Sequence, residues 1–311
     1  MNKFKGFLFG MTASSTFGLL PLFTLPVMSE GLTTNSILCY RMLFASALVA
    51  VLMQVRKIAF RTNLKELLWF AFLGFFYYGS ASLLFQAYGT MSSGMATTLH
   101  FLYPVGVTLI MALVFKQRPS PFTILAIILG LSGVALLSLK EGGGSSSASL
   151  VGILLVLLSG LSYAAYLVTV NNVRRVRESN NLKLTLYVLI FSALFFLLDT
   201  SLSGGLQMIP SGRALTNLLL LAFLPTLVSN LALVRAVKSI GSTLTSVLGA
   251  MEPLTAIVIG VVVFGEEVTG PMALGILLIL LSVTIIVLSP LLDKNIADRL
   301  RRLSKRPIRR Q

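Results

Sequence analysis

Two short polar motifs lie inside long apolar stretches of this chain, where an ionisable group can carry a proton or hold a ligand. Glu252-Pro253 lies within residues 244–264, and Tyr103-Pro104 lies at the matching place within residues 95–115. A carboxylate at the centre of a bilayer costs about 3 kcal/mol on insertion scales, so Glu252 is a candidate functional residue. His100, the one histidine of the chain, precedes Tyr103 by three residues and therefore shares its helical face.

Each of these groups also has a structural interpretation. Glu252 could be a protonated carboxyl bonded to a neighbouring helix, and His100 could make a satisfied hydrogen bond between helices. As functional groups, Glu252 would take up and release a proton, and His100 would bind substrate or act as its proton-transfer partner. Both interpretations stay open at the level of the sequence.

The composition predicts the elements that position these residues. The chain has 311 residues, of which 56% are hydrophobic and 11% charged, whereas a soluble domain carries about 25% charged residues. A membrane-spanning helix needs about 20 mostly apolar residues, and long runs that do not alternate indicate helices rather than strands. Ten stretches meet this requirement, here named spans 1 to 10, at residues 5–28, 34–54, 65–88, 94–115, 121–139, 149–172, 183–200, 214–236, 243–264 and 271–290.

The Lys and Arg residues predict the orientation of the spans. Of the 25 basic residues, 22 fall on the side of the N terminus, whereas Lys140 and Arg213 fall on the opposite side. By the positive-inside rule both termini are cytoplasmic. The net charge of +15 then reflects contact with anionic lipid, and no nucleic-acid partner is expected.

The two halves of the chain repeat each other. A shift of 146 residues pairs Gly6 with Gly152, and a shift of 149 residues pairs Pro104 with Pro253. The predicted parts are a first five-helix repeat at 1–140, an extracytoplasmic linker at 141–149, a second repeat at 150–290 and a basic cytoplasmic tail at 291–311. Because each repeat has an odd number of spans, the second is inverted. The predicted fold is an all-α integral membrane protein of ten transmembrane helices in two inverted repeats, which is typical of secondary transporters.

The end of the second repeat resembles a known family. A Glu-Pro-Leu motif at 252–254 is followed by Val-Phe-Gly-Glu-Glu-Val-Thr at 263–269 and by Gly275 in span 10. This pattern is similar to the EamA-type branch of the drug/metabolite transporter superfamily, although basic residues at 116–118 replace the Gly-Glu turn in the first repeat. The resemblance implies a carrier of the cytoplasmic membrane for small metabolites, often an exporter of amino acids or related compounds.

Inverted symmetry predicts a midplane pocket between corresponding spans, and the resemblance implies spans 1, 3 and 4 with their mates 6, 8 and 9. The candidate substrate-binding residues are the polar and aromatic residues near the centres of these spans, namely Phe17, Tyr78, Gln86, His100, Tyr103, Tyr163, Tyr166, Ser229, Asn230 and Glu252. For Tyr163 and Tyr166, helix packing is the alternative.

The two symmetric prolines, Pro104 and Pro253, are candidate hinges. A proline inside a helix frees the carbonyl four residues earlier, and here those carbonyls belong to His100 and Gly249. Freed carbonyls at the midplane could accept an ammonium or a hydroxyl of the substrate. The alternative is that neighbouring helices satisfy these carbonyls, as they often do in membrane proteins.

Three further charged residues are expected to have no specific role. Arg41, in span 2, is expected to snorkel toward the outer surface, with attraction of an anionic group as the alternative. Glu266 and Glu267, at the outer end of span 9, are expected to be solvated loop charges.

The sequence carries no signature of an enzyme or of a bound cofactor. It has no Gly-rich phosphate loop ending in Gly-Lys-Ser/Thr, and a single histidine and a single cysteine, Cys39, exclude multi-His and multi-Cys metal sites. No metal and no cofactor are therefore expected. The expected partners are the lipid bilayer and a small-molecule substrate, and a monomer would suffice.

The predicted function is secondary-active transport of small metabolites such as amino acids, with export as the expected direction and alternating access around the midplane pocket as the mechanism. The alternatives are a passive facilitator or channel, and a membrane-embedded enzyme or lipid-handling scaffold. A channel should show a ring of like charges or a symmetric carbonyl filter, and the sequence shows neither.

Overall fold

The computed structural model describes residues 3–116, 120–138, 150–233, 235–236, 239, 248–249, 251–285 and 288. These residues form helices and short connections, with no strand among them. The predicted linker at 141–149 and the predicted tail at 291–311 lie outside the described residues. The helices are α1 Lys3–Phe17, α2 Leu20–Ser29, α3 Thr34–Val55, α4 Leu64–Ala87, α5 Ser93–His100, α6 Tyr103–Phe115, α7 Pro121–Ser138, α8 Leu150–Asn172, α9 Arg174–Arg177, α10 Asn181–Leu202, α11 Gly212–Ala222, α12 229–233, α13 Met251–Phe264 and α14 Gly270–Ile285.

Within the described residues, seven helical stretches are long and apolar enough to cross a membrane, judged by length and composition. They are Phe4–Ser29, Thr34–Val55, Leu64–Ala87, Ser93–Phe115, Leu150–Val170, Asn181–Leu202 and Gly212–Leu233, which correspond to predicted spans 1 to 4 and 6 to 8. Shorter apolar helices occupy the places predicted for spans 5, 9 and 10, at Ile124–Gly133, Met251–Phe264 and Gly270–Ile285. The all-helical fold is therefore confirmed for the described residues, whereas these residues alone do not give ten full-length spans.

Several of the longer helices begin at a side chain that accepts from a backbone N–H of the first turn. Asn63 accepts from Glu66 before α4, Asn180 accepts from Leu182 and Lys183 before α10, and Ser211 accepts from Ala214 before α11. These caps satisfy donors that have no partner within the helix. They fix where spans 3, 7 and 8 begin.

Spans 1, 4 and 8 are irregular near their middles. Span 1 divides into α1 and α2 before Pro21, and span 4 divides into α5 and α6 before Pro104. Proline is tolerated in the first turn of a helix because its missing N–H needs no partner there. In span 8, a π-helical turn at Phe223–Val228 joins α11 to α12. The expected proline kink in span 4 is thus a break between two helices.

The most extensive helix contacts join the first half of the chain to the second. Helix α3 packs on α10, α4 packs on α8, and α5 packs on α13. Two further pairs are α1 with α13 and α6 with α8. Small residues permit these approaches, since a Cβ added at Gly94 on α5 would lie 2.9 Å from the Ile257 side chain on α13. The core of the bundle is therefore shared between the two halves.

Candidate functional site

A small pocket of about 80 Å³ lies where α1, α6, α8, α12 and α13 meet. Its lining includes five of the predicted substrate-binding residues, together with Ala13, Ser14, Leu233 and Gly249. We call it the Glu252 pocket, and the five predicted residues in it are Phe17, Tyr103, Tyr163, Ser229 and Glu252. Phe17 and Tyr163 are symmetry mates under the 146-residue shift, and Tyr103 and Glu252 are mates under the 149-residue shift. The pocket therefore takes equivalent residues from both halves.

Glu252 stands in the first turn of α13, with only 8% of its surface exposed. Among the described residues, no basic side chain forms an ion pair with its carboxylate, because the two pairs found there are Arg174–Glu178 and Lys183–Glu66. The charged form of a buried carboxyl is costly without a cation. This position can exchange a proton or a cationic ligand more readily than one held in a permanent ion pair.

The junction of α1 and α2 packs directly on Glu252. A Cβ added at Gly18 would lie 2.5 Å from the Glu252 carbonyl oxygen and 2.7 Å from the Thr255 side chain. Farther along α1, Ser229 Oγ donates to the Ala13 carbonyl at 2.8 Å. Span 1 thus contacts two elements of the second half that line the pocket, α13 at its break and α12 within α1.

His100 lies behind the pocket wall rather than in the lining. Its Nδ1 is 3.1 Å from Ser159 Oγ, and Ser159 Oγ donates to the Ser80 carbonyl at 2.6 Å. Its ring centroid lies 5.6 Å from that of Tyr163 and 6.1 Å from that of Tyr103. The imidazole on α5 is therefore bonded to Ser159 on α8, and the Ser159 hydroxyl continues the link to α4. This agrees with the structural interpretation of a hydrogen bond between helices, and the ring also lies against the two tyrosines.

The tyrosines form one continuous aromatic cluster. Tyr103 and Tyr163 meet edge to face at 4.9 Å, and Tyr163 stacks on Tyr166 at 5.8 Å. Tyr166 in turn lies 5.7 Å from Tyr77. Tyr166 is thus placed in the second layer of this cluster, and the pocket lining stops at Tyr103 and Tyr163.

The other predicted residues lie elsewhere. The Tyr78 hydroxyl donates to Asp199 at 2.9 Å, so Tyr78 faces α10. Gln86 is exposed and donates to Ser82 Oγ, a neighbour on its own helix, at 3.0 Å. Polarity near the centre of a span identified both residues, but it does not say which face of α4 each occupies. Ser14 was missed because it lies in a run of small polar residues, Thr-Ala-Ser-Ser-Thr at 12–16, and the sequence does not say which of them faces the pocket.

A larger cavity of about 240 Å³ lies between α3, α10 and α12, and Asn230 belongs to its lining. We call it the Asn230 cavity. Its polar and basic lining residues are Arg56, Asn180, Asn181, Thr185, Thr226, Asn230 and Arg235. Arg56 follows α3 and Asn180 precedes α10, which are helix ends predicted to be cytoplasmic. Asn230 also donates to the Thr226 carbonyl at 2.6 Å, which links the lining to the π-helical turn.

The expectation that Arg41 snorkels to the outer surface is wrong. The residue is 2% exposed, and its Nε donates to Thr226 Oγ1 at 3.0 Å. The guanidinium carbon lies 5.7 Å from the centroid of the Phe85 ring. The Thr226 hydroxyl and the Phe85 ring inside the bundle hold the side chain inward. The sequence showed only that Arg41 lies near the outer surface, and it did not show these partners.

Hydrogen bonds in the turns before Pro253 and Pro104 bear on their predicted roles. The Glu252 N–H donates to the Gly249 carbonyl at 3.0 Å, so the expected free carbonyl at Gly249 is not found. Pro104 is the second residue of α6, and the turn before it is held by Leu102 N–H donating to the Leu99 carbonyl at 3.1 Å. Both prolines stand in the first turn of a helix, and the role of either as a hinge stays a prediction.

Glu266 is not a solvated loop charge. Its Oε1 accepts from both the N–H and the hydroxyl of Ser93 at 2.8 Å, and its Oε2 accepts from the Gly94 N–H at 3.4 Å. The carboxylate therefore caps the N terminus of α5, where unpaired N–H groups favour a negative charge. Glu267 is exposed, as expected.

Polar contacts also join the predicted outer ends of spans 1 and 2 to those of spans 7 and 8. Asn35 donates to Asp199 at 2.8 Å, the Thr33 N–H donates to Gln207 Oε1 at 2.6 Å, and Ser211 donates to Glu30 at 2.5 Å. We call these the outer polar contacts. They lie at the end of the bundle opposite to the Asn230 cavity.

Comparison with known proteins adds to these observations. A sequence model of the EamA-like transporter family matches residues 4–139 and again residues 150–288. The protein called uncharacterized transporter sll1319, from Synechocystis sp., is 27% identical over 229 residues, which cover 71% of this chain and 68% of that protein. Uncharacterized transporter YcxC of Bacillus subtilis is 31% identical over 167 residues, about half of each chain, with 51% of this one and 49% of the other covered.

A solved crystal structure also has this fold. It superposes with a TM-score of 0.65 at 18% identity, and the match covers 91% of this chain and 98% of the other. At this identity the similarity concerns the fold alone.

Within the described residues, no group of three or more His, Cys, Asp or Glu side chains is placed to hold a metal ion.

Proposed function

The chain belongs to the EamA-like transporter family, and from this premise we propose that it is a secondary-active transporter of small metabolites such as amino acids. In this proposal, it works by alternating access around the Glu252 pocket and exports its substrate across the cytoplasmic membrane. The observation that carries the proposal is the pocket itself, where two pairs of symmetry-related residues from both halves converge around a buried carboxyl.

The proposed architecture is ten spans in two inverted five-helix repeats. One pair of contacts supports a two-fold relation between the repeats. Ser229 Oγ donates to the Ala13 carbonyl at 2.8 Å, and Ser159 Oγ donates to the Ser80 carbonyl at 2.6 Å. Under the shifts of 149 and 146 residues, Ser80 corresponds to Ser229 and Ala13 to Ser159. The same two positions therefore touch twice, once between spans 8 and 1 and once between spans 3 and 6.

The described arrangement fits a state that is closed toward the outside. The outer polar contacts and the Glu266 cap tie the predicted outer ends together, whereas the Asn230 cavity lies between helix ends that carry Arg56 and Arg235. By the charge rule those basic ends face the cytoplasm, as do both termini in this proposal. Transport would require the outer contacts to break and an equivalent closure to form inside.

Glu252 is the group that we propose couples transport to protons. When the carboxyl faces the side with more protons it binds one, and it releases that proton when the pocket faces the other side. A cationic group of the substrate would compete with the proton for the same carboxylate, which would give exchange of one for the other. His100 enters this scheme as a support for Tyr103 and Tyr163 rather than as a ligand in the pocket.

Reconstitution tests the proposal. The full chain is placed in lipid vesicles, and the uptake of labelled amino acids is measured. The vesicles either contain or lack unlabelled amino acid, and each kind is assayed with and without a pH gradient across the membrane. Saturable counterflow that increases with the gradient is expected. If counterflow occurs but the pH gradient has no effect on it, the protein is a passive facilitator and the proposed coupling to protons is wrong. Unitary conductance steps across planar bilayers would instead overturn the carrier and favour a channel.

A further inference from the structure

Arg41 is a buried cation to which the pocket at Glu252 assigns no role. Its side chain is 2% exposed, and its Nη2 has no hydrogen-bond partner among the described residues. The ion pairs found in the described part of the chain, Arg174–Glu178 and Lys183–Glu66, do not include it. A guanidinium keeps its charge and offers five donors in a fixed fork, so an unpaired one inside a membrane protein is costly.

The repeat shows that the fold does not need a cation at this position. Under the 146-residue shift, Arg41 on α3 corresponds to Tyr187 on α10. Tyr187 stacks on Phe70 with ring centroids 5.6 Å apart, and its hydroxyl donates to the Phe60 carbonyl at 2.7 Å. An aromatic residue therefore fills the equivalent place in the second repeat. The charge of Arg41 is a property of one half only.

The surroundings of Arg41 connect it to the Asn230 cavity. Its Nε donates to Thr226 Oγ1, and Thr226 also belongs to the lining of that cavity. Thr226 stands in the π-helical turn, where its hydroxyl donates to the Leu221 carbonyl five residues earlier at 3.1 Å. Such turns occur often at functional sites. One side chain thus separates the guanidinium from a polar cavity.

We propose that Arg41 is a binding group for a carboxylate of the transported solute, which reaches the guanidinium through the Asn230 cavity when Thr226 moves aside. The planar fork of the guanidinium matches the two oxygens of a carboxylate, and Nη2 supplies a donor that the protein leaves unused. Asn230, in the same lining, can donate to the same solute. This assignment depends on the proposed transport function for its solute, but the binding site can be tested without transport.

The test is ligand binding to the purified full chain in detergent, without vesicles or gradients. The probes are the common L-amino acids, their carboxamides, which keep the ammonium but lose the carboxylate, and inorganic phosphate. Stabilisation against thermal unfolding is titrated for wild type, Arg41→Gln, Arg41→Lys and Thr226→Val. The control is Arg213→Gln, which changes an exposed arginine in the first turn of α11.

At least one amino acid is expected to stabilise the wild type while its carboxamide does not. Arg41→Gln should weaken that binding about 10- to 100-fold, the range for a charge-assisted hydrogen bond inside a protein. Arg41→Lys should weaken it less, and Arg213→Gln should leave it unchanged. Thr226→Val should weaken it measurably, because Arg41 Nε loses the acceptor that orients the guanidinium. If Arg41→Gln does not fold, Arg41→Lys and Thr226→Val decide the question.

Four results would overturn the assignment. They are no stabilisation of the wild type by any amino acid, equal stabilisation by the carboxamides, unchanged affinity in both Arg41→Lys and Thr226→Val, and stabilisation by phosphate alone. A separate outcome concerns the proposed function. If amino acids bind in an Arg41-dependent way but vesicles show no counterflow, the site stands and the transport proposal fails.

Discussion

At the scale of residues, the pocket derives its chemistry from one carboxyl among aromatic rings. Glu252 and its symmetry mate Tyr103 both line the pocket, as do Phe17 and its mate Tyr163. The two halves therefore supply the same positions but different side chains, so that only one half carries the acid. A single ionisable group in a small buried space can bind one proton or one cationic group, but not both.

Replacement of Glu252 with Gln tests this role. Gln keeps the size and the hydrogen-bonding capacity of a protonated carboxyl but cannot ionise, so uptake in vesicles should lose its dependence on pH. Exchange at equal pH on both sides should persist at a reduced rate. Uptake of labelled substrate is measured against pH for this variant and for Glu267→Gln, which removes an exposed carboxylate. A pH profile that stays the same in Glu252→Gln would refute the coupling role.

At the scale of elements, helix ends set which parts of the bundle can move. Span 1 breaks before Pro21, span 4 breaks before Pro104, and span 8 contains the π-helical turn. These interruptions lie around the Glu252 pocket and beside Arg41. The Glu266 cap on α5, by contrast, holds the outer half of span 4 to the loop that follows α13. The regular segments are therefore joined at the outside and interrupted near the centre.

Removal of the cap should destabilise the observed state. Glu266→Ala deletes the acceptor for the Ser93 N–H and hydroxyl, and the loss of a capping side chain costs about 0.5–2 kcal/mol. The midpoint of thermal unfolding in detergent should fall for Glu266→Ala, whereas Glu267→Ala should unfold at the wild-type temperature. Equal midpoints for all three proteins would show that these hydrogen bonds contribute nothing to stability.

At the scale of the whole molecule, helices of one half pack against helices of the other half. Helix α3 packs on α10 and α5 packs on α13, and each of these pairs joins corresponding spans of the two repeats. Because the interface lies along the proposed symmetry axis, a rocking motion of one half against the other would open one end while closing the opposite end.

A covalent link across the outer polar contacts should stop that motion. In a background with Cys39→Ala, cysteines at positions 35 and 199 replace a hydrogen-bonded pair 2.8 Å apart. A short bifunctional thiol reagent that joins them should abolish transport while leaving amino-acid binding intact. Each single-cysteine variant treated with the same reagent serves as a control. Full transport by the cross-linked protein would rule out an opening at this end.

The proposed orientation has its own test. A cysteine at Ser145 should react with a membrane-impermeant thiol reagent added outside intact cells, whereas a cysteine at Ser304 should react only after the cells are opened. Equal reactivity at both positions from the same side would contradict the inversion of the second repeat, since five spans separate the linker from either terminus in the proposed topology.

The sequence by itself determined the properties that depend on summed composition and on order along the chain. Long apolar runs predicted helices in a membrane, the motif around residues 252–269 indicated the family, and the repeat offset brought Tyr103, Glu252, Phe17 and Tyr163 to one pocket. Such properties can be predicted from the sequence because hydrophobicity and duplication depend only on the residue types and their order along the chain.

Only the tertiary structure decided which residue each polar side chain contacts. Arg41 turns inward because Thr226, 185 residues later, offers an acceptor, and Glu266 is a cap because Ser93 begins α5 beside it. Gln86 points away from the pocket, although it shares a helix with Ser80, which contacts Ser159. These outcomes depend on the partner that packing places opposite a residue. A helical period gives the relative faces of residues on one helix, but it does not identify the neighbour that each face meets.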